Sequence, residues 1–257
     1  MKICRFRNGN GVQIGIVEGD EIWVCDTNLQ KTQELWYFDE VELLAPAAPS
    51  KVVCVGRNYA EHAKELGNDV PAEPLLFLKA PSAIIAHGDE IMIPHQSNQV
   101  EHEGELAVVI GRTCKDIMDD EDPFEYILGY TCLNDVTARD VQRNDIQFTR
   151  GKSFDTFCPM GPFVETELDV SDVRVMTRVN GETRQDGRTS QMVFPVEFLL
   201  RYISRQMTLQ AGDVIATGTP GGVGDGRTPP IYLQAGDVVE ISIGAIGTLT
   251  NPVVEGR

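Results

Sequence analysis

His102-Glu103-Gly104-Glu105-Leu106-Ala107-Val108-Val109-Ile110 is the stretch on which the reading of this chain turns. The apolar run from Leu106 to Ile110 has the length and β-branched content of a buried strand. Side chains on a strand alternate between faces, so Glu103 and Glu105 project together at its mouth. Two like charges placed there repel unless a cation sits between them. The plainer explanation is a solvated strand end.

Further strands are expected over Ile127 to Leu133, Arg174 to Val179, Asp213 to Thr217 and Val238 to Ile243. Helices are expected only near Thr137 to Ile146, Val196 to Gln206 and Asn58 to Leu66. The last of these has Asn58 as a candidate N-cap and Gly67 as its stop. Upstream, Lys51 to Val55 reads as a buried strand ending at Gly56, and Leu44 to Ser50, with two prolines, reads as a linker. Before it, Val12 to Val17 and Glu21 to Cys25 make a small β-hairpin unit. Leu209-Gln-Ala-Gly-Asp-Val-Ile recurs as Leu233-Gln-Ala-Gly-Asp-Val-Val, which is one turn chemistry used twice and too few copies for a solenoid.

At 257 residues the chain has room for one main domain and a small appendage. A formal net charge of −17 argues against nucleic-acid and anionic-membrane partners, which need clustered Lys and Arg. An acidic chain binds an acidic small molecule only where a metal or a few placed cations reverse the field. No apolar stretch is long enough for a membrane span, and the charged start Met-Lys-Ile-Cys-Arg does not read as a signal peptide. Six dispersed cysteines without a Cys-x-x-Cys pair read as free thiols in a reducing cytoplasm.

A second feature is Asn134-Asp135-Val136-Thr137-Ala138-Arg139-Asp140-Val141-Gln142. If a helix starts at Asp135, then Asp135, Arg139 and Gln142 share a face at i, i+4 and i+7. The alternative is an N-cap Asp with a surface ion pair. Carboxylates from Glu103, Glu105 and Asp135, without Cys or paired His, make a hard all-oxygen site that favours Mg²⁺ or Mn²⁺ over Zn²⁺. Lys152 falls in a predicted loop, where a lone lysine is ordinarily a surface residue. His62 and Glu65 are three apart on the short helix, which suits either an oriented general base or an exposed pair. Thr217-Gly218-Thr219-Pro220-Gly221-Gly222 is rich in backbone donors but fits neither a P-loop nor a dinucleotide fingerprint. Serine-hydrolase elbows and His-Glu-x-x-His are absent.

In this order the segments resemble the fumarylacetoacetate hydrolase family. The likeness rests on Gly56-Arg57-Asn58-Tyr59-Ala60-Glu61-His62, Phe77-Leu78-Lys79, Glu103-Gly-Glu105, Asn134-Asp135-Val-Thr-Ala-Arg139-Asp140, Lys152-Ser-Phe and Thr217-Gly-Thr-Pro-Gly-Gly. It runs from about Lys51 to Val254. It implies an α+β, β-rich fold: a mixed β-sheet roll over 46–257 that holds the metal, behind a small N-terminal β domain over 1–45. A homodimer is implied as well. Glu103, Glu105 and Asp135 would ligate Mg²⁺ or Mn²⁺, Lys152 would stabilise an enolate, and His62 and Glu65 would sit on a lid helix as an acid–base pair. Arg57, Tyr59, Lys79, Arg139, Gln142 and Thr219 would bind substrate. The sequence departs from the family at Lys79-Ala80-Pro81, where Lys-Pro is frequent. The resemblance implies cleavage of C–C bonds in 2-oxo acids through a metal-stabilised enolate, by acylpyruvate hydrolysis or oxaloacetate decarboxylation. A second expectation is 2-hydroxyhepta-2,4-diene-1,7-dioate isomerisation and decarboxylation in aromatic-compound breakdown. A third, of a different class, is a binding protein that has lost its chemistry, and its signature would be a missing ligand or lysine.

Overall fold

β-Branched and other apolar residues in runs of five to eight dictate strands, and strands dominate the computed structural model, which describes residues 1–256. Four short α-helices interrupt them: α1 (Ala60–Glu65), α2 (Arg139–Asn144), α3 (Thr149–Lys152) and α4 (Val196–Gln206). The main sheet is mixed. Its central path runs Cys158–Glu165, Ile127–Asn134, Gly104–Ile110, Val214–Ala216, Val52–Gly56 and Leu75–Lys79. All neighbours on that path are antiparallel except Val214–Ala216 beside Val52–Gly56. The N-terminal strands Lys2–Asn8, Gly11–Glu18, Glu21–Cys25 and Lys31–Tyr37 extend the same sheet through the pairing of Lys2 with Glu165.

A second sheet holds Glu182–Arg188, Arg174–Val179, Val238–Ile243, Gly247–Glu255 and Ile91–Ile93. It packs across the first, and α4 closes one side of the core with Val196, Leu199, Leu200 and Ile203. Those four positions follow i, i+3, i+4, i+7, so one stripe of the helix is apolar. Gly104 marks a close approach of the two sheets. A Cβ there would lie 2.0 Å from Thr177 Oγ1, so only glycine lets the strand mouth sit under the second sheet.

The repeated Leu-Gln-Ala-Gly-Asp segments form the same turn in different sheets. Gln210 N–H donates to Asp213 Oδ2 and Gln234 N–H to Asp237 Oδ2, each at 2.8 Å, and Gly212 and Gly236 take positive φ. All six cysteines are free. Among the described residues, no helix is long and apolar enough to cross a membrane.

Two local expectations are corrected. Asn58 does not cap α1, because its amide is drawn into the core. Asn58 Nδ2 donates to the carbonyls of Thr217 (2.7 Å) and Phe194 (3.0 Å), and its Oδ1 accepts from Phe194 N–H. The helix expected from Thr137 starts at Arg139. Thr137–Ala138 instead pairs as a strand with Val100–Glu101, so Asp135 precedes the helix and is neither its N-cap nor on its face. The β-branched Val136 and Thr137 favour that extended path.

Candidate metal centre and active site

The mouth of the strand Gly104–Ile110 is stitched to the end of its neighbour Ile127–Asn134. Glu103 N–H donates to Asn134 Oδ1 at 3.0 Å, and Asp135 N–H donates to the Glu103 carbonyl at 2.9 Å. This register brings Glu103, Glu105 and Asp135 together although Glu103 stands just outside the strand. One carboxylate oxygen from each lies within 4.8 Å of the others, and all three residues are buried. The solvated strand end is therefore excluded.

Lysines reach the cluster from two sides. Lys152, the last residue of α3, donates to Glu103 Oε2 (2.8 Å) and Asp135 Oδ2 (2.6 Å). It is 2% exposed, so the surface-lysine reading fails too. Lys79 lies beneath, donating to Asp135 Oδ1 at 2.6 Å and to the Val136 carbonyl at 3.1 Å. Burial works against the Lys152 ammonium, but Asp135 and Glu103 outweigh it and raise its pKa. Glu103 is likewise opposed by burial, yet Lys152 and Arg139 hold its carboxyl well below the usual carboxylate range. Glu105 goes the other way. Burial first, then Asp135 and Glu103, push its carboxyl well up, and the Lys152 charge and the Gly218 N–H at 2.7 Å support the anion too weakly to reverse that. Ionising this third carboxylate needs another positive charge at the cluster. A hard divalent cation fits that need and this oxygen donor set.

A cavity of about 290 Å³ opens over the cluster. Arg57, His62, Arg139, Gln142, Lys152 and Thr219 line it together with the three carboxylates. Phe77 and Phe148, edge to face at 5.6 Å, form its apolar wall, and the Lys152 ammonium lies 5.1 Å from the Phe77 ring centre. Arg139 is already engaged, with Glu101 and Glu103 through Nε and Nη2, and with Gln142 Oε1 at 2.7 Å. The Thr219 hydroxyl donates to the Gly104 carbonyl at 3.0 Å and accepts from Gln185 Nε2 at 2.6 Å. On α1, His62 Nδ1 meets Glu65 Oε1 at 2.8 Å, while Glu65 Oε2 accepts from Gly222 N–H at 2.8 Å. The glycine-rich loop thus cradles the protein's own carboxylates, Glu105 and Glu65.

Tyr59 and Lys79 do not line the cavity with the other residues expected to bind substrate. Tyr59 is buried with its hydroxyl unpartnered, and Lys79 is a strut behind Asp135. Glu65 stands behind His62. The sequence reading misses Glu101, whose buried carboxylate binds Arg139 and accepts from Asp225 N–H at 2.5 Å. The alternation of Glu103 and Glu105 continues upstream to Glu101, and that period was its signal. Gln185, which accepts from Gly104 N–H at 2.9 Å, comes from the second sheet and carries no local signal.

Over residues 51–254 the chain matches the profile of the family described as Fumarylacetoacetate (FAA) hydrolase C-terminal, and over residues 1–46 that of Rv2993c-like, N-terminal. It is 44% identical over 256 residues to oxaloacetate tautomerase YisK of Bacillus subtilis, across 93% of this chain and 84% of that protein. It is 48% identical over 221 residues to mitochondrial oxaloacetate tautomerase FAHD2A of Homo sapiens, across 84% of this chain and 70% of that protein. The crystal structure of 2-hydroxyhepta-2,4-diene-1,7-dioate isomerase from Mycobacterium marinum superposes over 100% of both chains with a TM-score of 0.89 and 42% identity. The β-rich fold and the ordered motifs agree with these matches: the chain belongs to the fumarylacetoacetate hydrolase family.

Proposed function

We propose that this chain is a Mg²⁺- or Mn²⁺-dependent enzyme that enolises 2-oxo acids, with oxaloacetate keto–enol tautomerisation as its leading reaction. The observation that carries this reading is the buried triad of Glu103, Glu105 and Asp135 with the Lys152 ammonium set among its oxygens. Two relatives that align along most of this chain are oxaloacetate tautomerases, which supports the choice of substrate. A divalent ion held by the triad would supply Lewis-acid polarisation of the substrate's 2-oxo oxygen.

The chain's own residues do the rest. Lys152, kept charged by its carboxylate neighbours, offers a fixed N–H donor to an oxygen that gains negative charge as the enol forms. With Nδ1–H given to Glu65, the His62 Nε2 lone pair faces the work of taking a proton from C3 and returning it. Phe77 and Phe148 keep bulk water from one wall, which protects the carbanionic carbon from stray protonation.

A second reading is favoured by the partly buried His62–Glu65 pair. A base oriented in this way also activates a water, which is what acylpyruvate hydrolysis requires. Oxaloacetate decarboxylation needs only the stabilised enolate, and isomerisation of a dienedioate needs the same proton shuttle. The experiment is to add the protein to oxaloacetate, acetylpyruvate and 2-hydroxyhepta-2,4-diene-1,7-dioate with Mg²⁺ or Mn²⁺, and again with a chelator. Enol absorbance of oxaloacetate should reach equilibrium faster with protein and metal, ahead of any release of pyruvate. No metal-dependent change on any of the three would sink the reading.

A further inference from the structure

The cations that line the cavity are not equivalent. Lys152 is shared between Glu103 and Asp135, and Arg139 is held by Glu101, Glu103 and Gln142. Arg143 pairs with Asp225 and Gln99. Arg57 alone among the lining arginines and lysines has no hydrogen bond or ion pair among the described residues. It is half-buried in a chain of net charge −17, on a cavity that Glu103, Glu105, Asp135 and Asp225 also line. The carboxylates around it already have partners, so a cavity-lining arginine without one is free to meet an anion that comes from outside.

Its backbone points the same way. Arg57 takes φ 56°, the left-handed region that non-glycine residues seldom adopt and that tends to be kept at functional sites. It follows the strand Val52–Gly56 at the point where Gly218 presses in. A Cβ on Gly218 would lie 3.1 Å from the Val55 carbonyl and 2.7 Å from Asn58 Cβ, and Gly218 N–H itself binds Glu105. The strained residue is thereby fixed on the cavity that the three carboxylates also line, just before α1 begins.

Resting on the 2-oxo acid reading above, we infer that Arg57 receives the distal carboxylate of the substrate, so that the site selects 2-oxo dicarboxylates over 2-oxo monocarboxylates. The carboxylate and 2-oxo oxygen of either class suit the metal end. Only a dicarboxylate supplies the second anion that the Arg57 guanidinium lacks, and its planar fork matches that group in a bidentate pair. Arg57 is then a specificity-determining residue and its contact is made equally in ground and transition states.

The test compares oxaloacetate with 2-oxobutanoate, which has a methyl group in place of the distal carboxylate. Deuterium exchange at C3, followed by NMR with Mg²⁺, gives kcat/KM for each in the parent, Arg57→Gln and Arg57→Lys. The parent should prefer oxaloacetate, and Arg57→Gln should lower that ratio about 10²-fold, mainly through KM. Arg57→Lys should recover part of it, since it keeps the charge but loses the fork. Oxalate affinity by calorimetry reports the metal end by itself, and Arg57→Gln should bind oxalate within a few-fold of the parent. A ratio unchanged by Arg57→Gln overturns the proposal. So does loss of oxalate binding, which would make Arg57 a structural support of the whole site. Exchange of both substrates by the parent without preference removes the proposal alone, whereas exchange of neither removes the 2-oxo acid reading with it.

Discussion

Replacing Lys152 with methionine keeps the stem and removes the one ammonium that bridges Glu103 and Asp135. Both carboxylates are buried, so solvent compensates the lost charge only weakly. Deleting one partner of a buried pair typically costs about 3–5 kcal/mol, and Arg139 on Glu103 and Lys79 on Asp135 keep the loss toward the lower end of that range. For a domain of this size that corresponds to a fall in Tm of roughly 6–20 °C in the metal-free protein. The deficit should depend on pH. Lys152 is the largest of the charges that hold the folded-state Glu103 carboxyl below its unfolded value, so the parent's stabilisation is present above the unfolded pKa and is lost as pH falls toward the folded one. Removing Lys152 removes part of that stabilisation, so the deficit is larger at about pH 7 than at about pH 4. Added Mn²⁺ supplies positive charge to the same oxygens, so it should raise the Tm of Lys152→Met more than that of the parent. The parent should bind the ion too, but from a cluster already partly neutralised. Calorimetric melts with and without Mn²⁺ at the two pH values measure all of this. Turnover should also fall, by about 10²–10³-fold if Lys152 donates to the developing enolate oxygen. A metal-free variant that melts within about 2 °C of the parent at both pH values would refute the buried-bridge argument.

Asp135→Ala should abolish divalent binding by calorimetry and all turnover, since it removes a ligand and strands Lys79 and Lys152; Mn²⁺ affinity equal to the parent's would dismiss the assignment. His62→Ala and Glu65→Ala should depress acylpyruvate cleavage by about 10²–10⁴-fold and oxaloacetate decarboxylation far less, with metal affinity unchanged. Equal losses would make the pair a latch, consistent with Glu65 gripping Gly222 N–H. Protease should cut near the exposed Asn68 segment in the free protein and be blocked by oxalate plus Mg²⁺, because Leu66 and Asn68 line the cavity; identical digestion in both states would argue against a closing lid.

How far the sequence reaches depends on the range of the forces involved. The stripe of Val196, Leu199, Leu200 and Ile203 specifies α4 from Val196 to Gln206 by local periodicity, and the structure starts and stops it there. The strands Arg174–Val179 and Val238–Ile243 are equally legible, because apolar alternation and flanking turns need no distant partner. Asp135 shows the limit. Its spacing from Arg139 and Gln142 imitates a helical face, but pairing of Thr137–Ala138 with Val100–Glu101 takes the chain into a strand first. The side chains still converge, for a reason that lies in strand register and not in helix geometry. Lys152 looks like a surface lysine locally because its partners are 17 and 49 positions away. Tyr59 and Lys79 travel with the family's motifs, yet burial places one in the core and the other behind Asp135.

The central claim is that Glu103, Glu105 and Asp135 together hold one divalent ion, and anomalous diffraction at the manganese edge tests it most directly. Crystals grown with Mn²⁺ and oxalate should show a single strong anomalous peak among the three carboxylates, with oxygen ligands at about 2.1–2.2 Å and Lys152 displaced toward the oxalate. A cluster without a peak at saturating Mn²⁺, with Lys152 still bridging Glu103 and Asp135, would contradict the account.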